Sequence, residues 1–242
     1  KQHDLMASIN ASLGNHQHAN GISLELYGKG YVLGPDAGIG RTLYSGLDYQ
    51  EYYSQMPAHN TVVVDGVSSY PVMMSQHAFK VVASYPEVSK EQPASKKLSE
   101  KKLSIQKDSE LKDKITYATV SFIEPETQAQ QQRITAIVKT SAKGGYYDVF
   151  RSKKKEGGDK THDYFYHNLG QEMKVMDADS GQPLDMKPTE ELAFAGGHLY
   201  AYSYIYDKKS AEMQNSVKTQ FVTKILDDKV VEAMDGQREI TM

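Results

Sequence analysis

The chain has 242 residues, with 28 basic and 31 acidic side chains and a net charge of −3, so no basic surface for nucleic acid is indicated. It contains no cysteine, which excludes disulfides, thiolate metal sites and a cysteine nucleophile. Apolar residues make up 39% of the sequence, which is enough for a packed core, but no run of them reaches the roughly 20 residues of a membrane-spanning helix.

The N-terminal segment is the first predicted element. Residues 4–13, DLMASINASL, predict a short helix that Asp4 caps and that ends before Gly14. The chain begins with KQHDLM and has no initiator methionine, which indicates a mature or excised piece of a longer protein.

Almost every periodic segment after residue 14 alternates apolar and polar side chains, as strands with one buried face do. Many short strands with turns between them indicate an antiparallel β-sandwich, so the fold is predicted to be all-β with two layers. Within 61–70, the Asp65-Gly66 pair indicates a β-hairpin. The predicted strands are 22–27, 61–70, 78–85, 114–123, 133–140, 146–151, 162–168, 198–206, 219–226 and 229–233.

Two stretches interrupt the strand pattern. Residues 90–114 are dense in lysines and acids without periodicity, which predicts an exposed, dispensable insertion or mobile hairpin. Residues 152–160, SKKKEGGDK, predict a solvated polar turn between two aromatic strands, although a basic loop can also attract an anionic polymer. The sequence also has 17 tyrosines and no tryptophan. Tyrosine-rich strands suit sugar binding, but strand propensity explains them equally well.

A histidine pair provides the first functional signal. His16 and His18 stand one residue apart before an apolar strand. On a strand they would point to the same face, although a bend at Gly14 or Gly21 could split their directions. Neighbouring imidazoles suit a metal or a reaction centre better than a core. Asp36 in the turn GPDAG and His59 in PAHNTVVVDG complete a set of two histidines and a carboxylate that can hold zinc. The alternative is that Asp36 and His59 only satisfy backbone groups of their turns.

Other arrangements fit less well. A cupin also uses His-x-His on a β-sandwich, but its glutamate follows the second histidine by three or four residues, whereas six residues separate His18 from Glu25. Glu25 and Glu124 are isolated, so a glycosidase carboxylate pair has no support. The remaining histidines have weaker patterns: His162 and His167 would face opposite ways on a strand, while His77 and His198 begin strands and are predicted to be surface or turn residues.

These motifs together resemble a known family. HQHANGISLELYGKGYVLGPDAG followed by PAHNTVVVDG is similar to the C-terminal β-sandwich of the heparinase II/III-like polysaccharide lyases. The shared pattern is His-x-His before a strand, a Lys-Gly turn, an Asp-x-Gly turn, then His-Asn-Thr and an apolar strand ending in Asp-Gly. Later strands extend the resemblance over roughly residues 10–170. One departure is Asn20, where the family often has aspartate.

The resemblance implies a domain organisation and an activity. Residues 1–13 would be the last helix of a preceding helical toroid, and residues 14–242 the β-sandwich domain. The whole enzyme would cleave uronic-acid polysaccharides, of the heparin, heparan sulfate or alginate type, by β-elimination in the bacterial periplasm or outside the cell. Because the family draws catalytic groups from the toroid, this chain alone is expected to be inactive. The alternative is a non-catalytic, zinc-containing sandwich that binds carbohydrate or serves as a scaffold.

The resemblance also implies roles for single residues. His16 matches the histidine that faces the substrate cleft. His18, Asp36 and His59 match the ligands of a zinc ion that is structural in this family. Tyr44 matches a cleft tyrosine. The alternatives to Tyr44 in the same loop are Tyr49, Tyr52 and Tyr53.

Overall fold

The computed structural model describes residues 5–28, 30–41, 43–87, 114–140, 143–156, 161–190, 197–233 and 235–242. Antiparallel strands dominate this part of the chain, which confirms the prediction of an all-β sandwich. The strands are β1 (Leu5–Asn10), β2 (Leu13–Asn15), β3 (Ser23–Gly28), β4 (Tyr31–Gly34), β5 (Val62–Val64), β6 (Met74–Gln76), β7 (Lys80–Tyr85), β8 (Ile115–Ile123), β9 (Gln130–Lys139), β10 (Gly144–Lys153), β11 (His162–Tyr164), β12 (Glu172–Asp177), β13 (Lys187–Pro188), β14 (Lys209–Ser210), β15 (Val217–Lys224) and β16 (Glu239–Thr241).

Helical structure in the described residues is short. No helix there is long and apolar enough to cross a membrane. The segments are the 3₁₀-helices Leu43–Ser45, Met56–Ala58 and Gly197–Tyr204, the single π-helical turn Tyr49–Tyr53, and the α-helix α1 (Asp228–Ala233).

Two sheets form the layers that position the site. The larger has the strand order β10-β9-β8-β7, and the smaller has the order β1-β3-β4. Strand β1 lies against β9 and β10, and Ile9 of β1 packs on the buried Val120 and Phe122 of β8. We call the side of the four-stranded sheet that faces β1 its inner face, and the opposite side its outer face.

The inner face of this sheet carries polar residues as well as apolar ones. Arg133 of β9 is fully buried, and its guanidinium binds both carboxylate oxygens of Asp148 at 2.7 and 2.8 Å. It also donates to the carbonyl oxygens of Ile22 and Asn60 at 2.7 and 2.6 Å. Arg133 therefore ties the four-stranded sheet to the two loops that flank β3 and β5.

The predicted helix at 4–13 is wrong. Residues 5–10 form β1, which pairs along its whole length with β3, so that Ser8 lies opposite Glu25. Leu5, Ala7 and Ile9 recur every second residue, which is a strand period, and an isolated helix this short is marginal in water. The free edge of β3 supplies the partner that decides the conformation.

Two predicted strands near the C-terminus are also wrong. Residues 198–206 lie mostly in the 3₁₀-helix Gly197–Tyr204, which places Tyr202 in a buried cluster with Met56. Residues 229–233 belong to α1. Here the side chain of Asp227 accepts the N–H groups of Lys229 and Val230 at 2.8 and 3.4 Å, a helix cap that the strand prediction overlooked.

The prediction for 61–70 is correct for its first part, where residues 62–64 form β5, and for its turn. Asp65 and Gly66 both have positive φ, and the N–H of Val67 donates to the carbonyl of Val64 at 3.1 Å. The chain does not return as a strand, because Val67 and Tyr70 pack into a buried cluster. Strand β5 pairs instead with β11. The insertion predicted at 90–114 lies, except for Lys114, outside the described residues, as do 157–160 of the predicted polar turn.

Candidate active site and metal centre

The histidine pair does not lie on a strand. Strand β2 ends at Asn15, and His16 has a φ of 60°, a left-handed conformation that turns the chain away. The His16 N–H donates to the carbonyl of Met73 at 2.8 Å and holds this bend. On a regular strand the spacing would put both imidazoles on one face, and this is not what the structure shows. His16 is exposed, whereas His18 is half-buried.

His18, Asp36 and His59 come together as predicted. Each offers a ligand atom, and these atoms all lie within 4.8 Å of one another. The rings of His18 and His59 are stacked with centroids 4.8 Å apart. His59 Nδ1 lies 2.9 and 3.1 Å from the two carboxylate oxygens of Asp36. In a tetrahedral zinc site neighbouring ligand atoms are about 3.4 Å apart, so small adjustments would suffice to accommodate the ion.

Both ring nitrogens of His59 face hydrogen-bond acceptors. Its Nδ1 faces the Asp36 carboxylate, and its Nε2 lies 3.1 Å from the carbonyl oxygen of Tyr53. Both neighbours are acceptors, but a neutral imidazole carries one N–H. A metal ion on Nδ1, with Nε2–H donating to the carbonyl, would satisfy both contacts. This pattern is usual for histidines that bind metals.

The charges of the cluster also suit a metal. Burial, and secondly the proximity of His59, lower the pKa of His18 to about 4 against the opposing effect of Asp36, so its imidazole is neutral. Burial alone would raise the pKa of the Asp36 carboxyl, but hydrogen bonds from His59 and the Gly38 N–H hold it well below its usual range. A neutral imidazole and an ionised carboxylate are the forms that bind metal.

His77 supports the histidine loop from behind. Its exposed fraction is 1%, and its Nδ1 accepts the N–H of Gly21 at 2.8 Å. Burial lowers the pKa of His77 to about 4. The prediction that His77 is a surface or turn residue is therefore wrong. It lies just beyond the C-terminal end of β6, and nothing in its sequence context distinguishes a buried histidine from an exposed one.

A second support comes from Asn60, next to His59. Its side chain is fully buried and donates to the carbonyls of Leu24 and Pro35 at 2.8 and 3.0 Å. The main-chain carbonyl of Asn60 accepts a hydrogen bond from Arg133. Asn60 thus fixes the His59 segment to β3 and to the turn that carries Asp36. The His-Asn-Thr motif contained this residue, but its spacing gave no role for it.

His16 and Tyr44 are close to each other at the surface. Their rings meet edge to face with centroids 6.3 Å apart, and Tyr44 is 41% exposed. Tyr49 packs behind Tyr44 and is fully buried, so it is not available to a ligand. Tyr52 and Tyr53 are half-buried, and Tyr52 stacks on Tyr204. Of the four tyrosines, the structure places Tyr44 beside His16.

The other polar residues of the sequence analysis have structural partners. Asn20 is buried and accepts a hydrogen bond from Ser12 at 3.0 Å, so it serves as a turn residue. Glu124 is buried in the β8–β9 turn and accepts the hydroxyl hydrogen of Tyr70 at 2.8 Å. His167 Nε2 lies 2.9 Å from the carbonyl of Pro57, whereas His162 is exposed.

The sequence is similar to a protein family and to a named relative. The sequence model of the family described as "Heparinase II/III-like, C-terminal" matches residues 4–149, which include all the residues of the cluster, His16 and Tyr44. A protein of Formosa agariphila named "Endo-acting ulvan lyase" is 30% identical over 179 residues. That alignment covers 72% of this chain and 20% of the relative, so the chain spans about a fifth of the relative's length.

Proposed function

We propose that this chain, which belongs to the heparinase II/III-like family through its C-terminal domain, is the β-sandwich part of a lyase that cleaves uronate polysaccharides by β-elimination. The observation that supports this proposal best is the exposed His16–Tyr44 pair next in the chain to the partly buried His18, Asp36 and His59 cluster. Titratable groups held at the surface by a rigid interior are suited to proton transfer on a bound polymer.

The reaction needs three kinds of assistance. The C5 proton of a uronate is a weak acid, and its removal becomes feasible when the neighbouring carboxylate is neutralised so that charge spreads onto it. A base then takes the proton, and an acid protonates the leaving glycosidic oxygen; each transfer contributes on the order of 10²–10⁴ in rate. We assign His16 to the proton transfers or to the carboxylate, and Tyr44 to a hydrogen bond with the sugar.

A zinc ion is part of the proposal. His18, Asp36 and His59 would hold it, and when bound it would supply a fixed cross-link between the loops rather than reaction chemistry. The Nε2–H of His59 would then donate to the Tyr53 carbonyl, 3.1 Å away. This bond orients the His59 ring and anchors the short helical segment that follows Tyr44.

The partners of this domain are proposed from the family. A helical toroid in the same protein would supply the remaining catalytic groups, so the 242 residues alone are expected to have little activity. A periplasmic or extracellular location follows from a polymeric substrate. The relative's name adds ulvan to heparin, heparan sulfate and alginate as polymers to be tested.

The test is a screen of the full-length protein against these four polymers. A lyase leaves an unsaturated sugar at each cleaved bond, so we expect ultraviolet absorbance to rise with at least one of them. His16→Ala and Tyr44→Phe should each slow the rise at least tenfold without changing the melting temperature. Binding of a polymer without any unsaturated product would favour a non-catalytic carbohydrate-binding module instead.

A further inference from the structure

On the four-stranded sheet, exposed basic residues lie on the outer face and the acidic residue of these strands lies on the inner face. Strands β7, β8, β9 and β10 contain one acidic residue, Asp148, and it points to the inner face, where it binds Arg133. Lys80, Arg151 and Lys153 are exposed, and none has an ion-pair partner among the described residues. In a chain of net charge −3, the charged residues that these four strands place on the outer face are therefore all basic.

Strand register places these cations around one groove. Lys80, Ser121, Gln132 and Arg151 lie opposite one another in a row across all four strands. Two residues along, about 7 Å away, Ile123, Gln130 and Lys153 form a parallel row. A groove of about 910 Å³ is lined by both rows. The rows alternate with the buried Gln131 and Arg133 along β9, so they belong to the outer face.

Aromatic side chains occupy the same face further along the strands. Tyr147 of β10 and Tyr117 of β8 both lie opposite Ala136 of β9, about 14 Å from the Arg151 row. Tyr147 is 64% exposed and Tyr117 38%, and Tyr117 stacks on Tyr85 with ring centroids 6.3 Å apart. Ala136, which lies between them, has a small side chain, and Tyr147 is the more exposed of the two rings. Exposed tyrosine rings offer an apolar face to a pyranose ring and a hydroxyl to its edge.

This face is separate from the His16–Tyr44 site. The guanidinium of Arg133 projects from the inner face of β9 to the carbonyl of Asn60, the neighbour of His59. The sheet itself therefore stands between the histidine cluster and the outer face. A ligand on the outer face cannot contact His16 through the sheet.

We propose that the outer face of the four-stranded sheet is a second binding surface for an anionic polysaccharide, distinct from the reaction site. Lys80, Arg151 and Lys153 contact carboxylate or sulfate groups, Gln130 and Gln132 bind hydroxyl groups, and Tyr147 stacks on a sugar ring. The choice of a polysaccharide over other polyanions rests on the proposed function. Such a surface holds a long polymer near the reaction site and raises its local concentration.

Affinity electrophoresis of the full-length protein tests this surface. Native gels contain ulvan, heparin or alginate, with dextran as the neutral polymer and poly-glutamate as a polyanion without sugars. A His16→Ala background limits cleavage during the run. We expect the double variant Arg151→Gln, Lys153→Gln to bind the retarding polysaccharide three- to tenfold more weakly, and Tyr147→Ala about threefold more weakly. The matched control Lys174→Gln, Lys218→Gln removes two exposed cations from β12 and β15 and should bind as before.

Several results would overturn the proposal. One is equal retardation of the Arg151→Gln, Lys153→Gln variant and the unmodified protein. Another is equal loss in the β12–β15 control, which would mean that net charge alone is responsible. Strong retardation by poly-glutamate with no effect of Tyr147→Ala would identify a general polyanion surface. A surface covered by another domain or a second copy of the chain would give no retardation that depends on these residues.

The surface and the lyase activity can fail independently. Retardation that depends on Arg151 and Tyr147 without unsaturated product would support the surface and contradict the lyase. Unsaturated product together with unchanged retardation of the outer-face variants would support the lyase and contradict the surface. With His16 intact, the outer-face variants should cleave short oligosaccharides at an unchanged kcat and lose efficiency only on the polymer.

Discussion

The two faces of the four-stranded sheet use polar residues in different ways. On the inner face, Arg133 is fully buried and donates to Asp148, to the hydroxyl of Tyr164 and to the carbonyls of Ile22 and Asn60. Gln131 donates to the carbonyl of Val62 at 3.2 Å. On the outer face, Arg151 and Lys153 of the neighbouring strand have no ion-pair partner among the described residues. Polar residues of two adjacent strands thus have a structural role on one face and are available to a ligand on the other.

This difference explains how a β-sandwich can hold a reaction site in its loops. Loops carry the histidines, and isolated loops are mobile. Here Arg133 ties them to the four-stranded sheet, Asn60 ties them to β3, and His77 binds the Gly21 N–H, all through buried hydrogen bonds. A buried polar group that loses its partner destabilises the fold more than an exposed one, so substitutions on the two faces should differ strongly.

The largest difference is expected for arginine on the two faces. Arg133→Met should lower the free energy of unfolding by about 3–5 kcal/mol, because it leaves the Asp148 carboxylate without its partner. The outer-face counterpart, Arg151→Met, should change it by less than about 0.5 kcal/mol. Urea denaturation of both variants measures the two values. Similar values would mean that the inner network does not hold the fold.

The pH dependence of stability gives the next largest effect. Burial lowers the pKa of His77 to about 4 in the folded state, against about 6.5 in the unfolded state. Between these values the unfolded chain binds a proton that the folded chain does not, so stability falls as pH decreases from 6.5 to 4. His77 contributes roughly 3 kcal/mol to this loss, an order-of-magnitude value.

His77→Asn tests that contribution, because the asparagine side-chain oxygen can accept the Gly21 N–H and does not titrate. We expect the stability of the variant to depend less on pH between 6.5 and 4 than that of the unmodified protein. His162→Asn, at an exposed position, is the matched control and should leave the pH profile unchanged. A profile of His77→Asn that runs parallel to that of the unmodified protein would show that His77 is charged in the fold.

A smaller effect is expected at Gly21. Its φ is +59°, and an added Cβ would lie 2.6 Å from the Thr61 hydroxyl oxygen. Gly181 has a φ of +69° with nothing within 4 Å, so it shares the backbone strain but not the clash. Gly21→Ala should lower the free energy of unfolding by about 1–2 kcal/mol more than Gly181→Ala, as measured by urea denaturation. Equal changes in the two variants would mean that the backbone around Gly21 accommodates the added methyl group without a loss of stability.

The sequence was sufficient for features that depend on local pattern. The alternation of β8, β9 and β10 predicted long strands, and the His-x-His, Asp-x-Gly and His-Asn-Thr motifs predicted which residues meet around His18. The local pattern could not predict which polar residues are buried. Nothing local distinguishes a His77 that accepts a buried N–H from one at the surface, because the Gly21 N–H comes from 56 residues away in the sequence.

Conformation was mispredicted where pairing or packing overrides propensity. Residues 5–10 became a strand because β3 had an edge to pair with, and residues 197–204 became a 3₁₀-helix around the buried Tyr202. The bend between the two histidines was expected at Gly14 or Gly21, and the structure adds a left-handed turn at His16 itself. This turn separates His16 from His18, a division that the i and i+2 spacing on a strand would not allow.

That division of roles is the central claim, and metal content measures it most directly. Purified full-length protein and its His16→Ala, His18→Gln and His59→Gln variants are assayed for zinc by elemental analysis and for turnover, with folding checked by circular dichroism. We expect about one zinc per chain in the unmodified protein and in His16→Ala, with turnover lost in His16→Ala, and zinc lost from both other variants. Loss of zinc from His16→Ala together with its retention in His59→Gln would contradict the account.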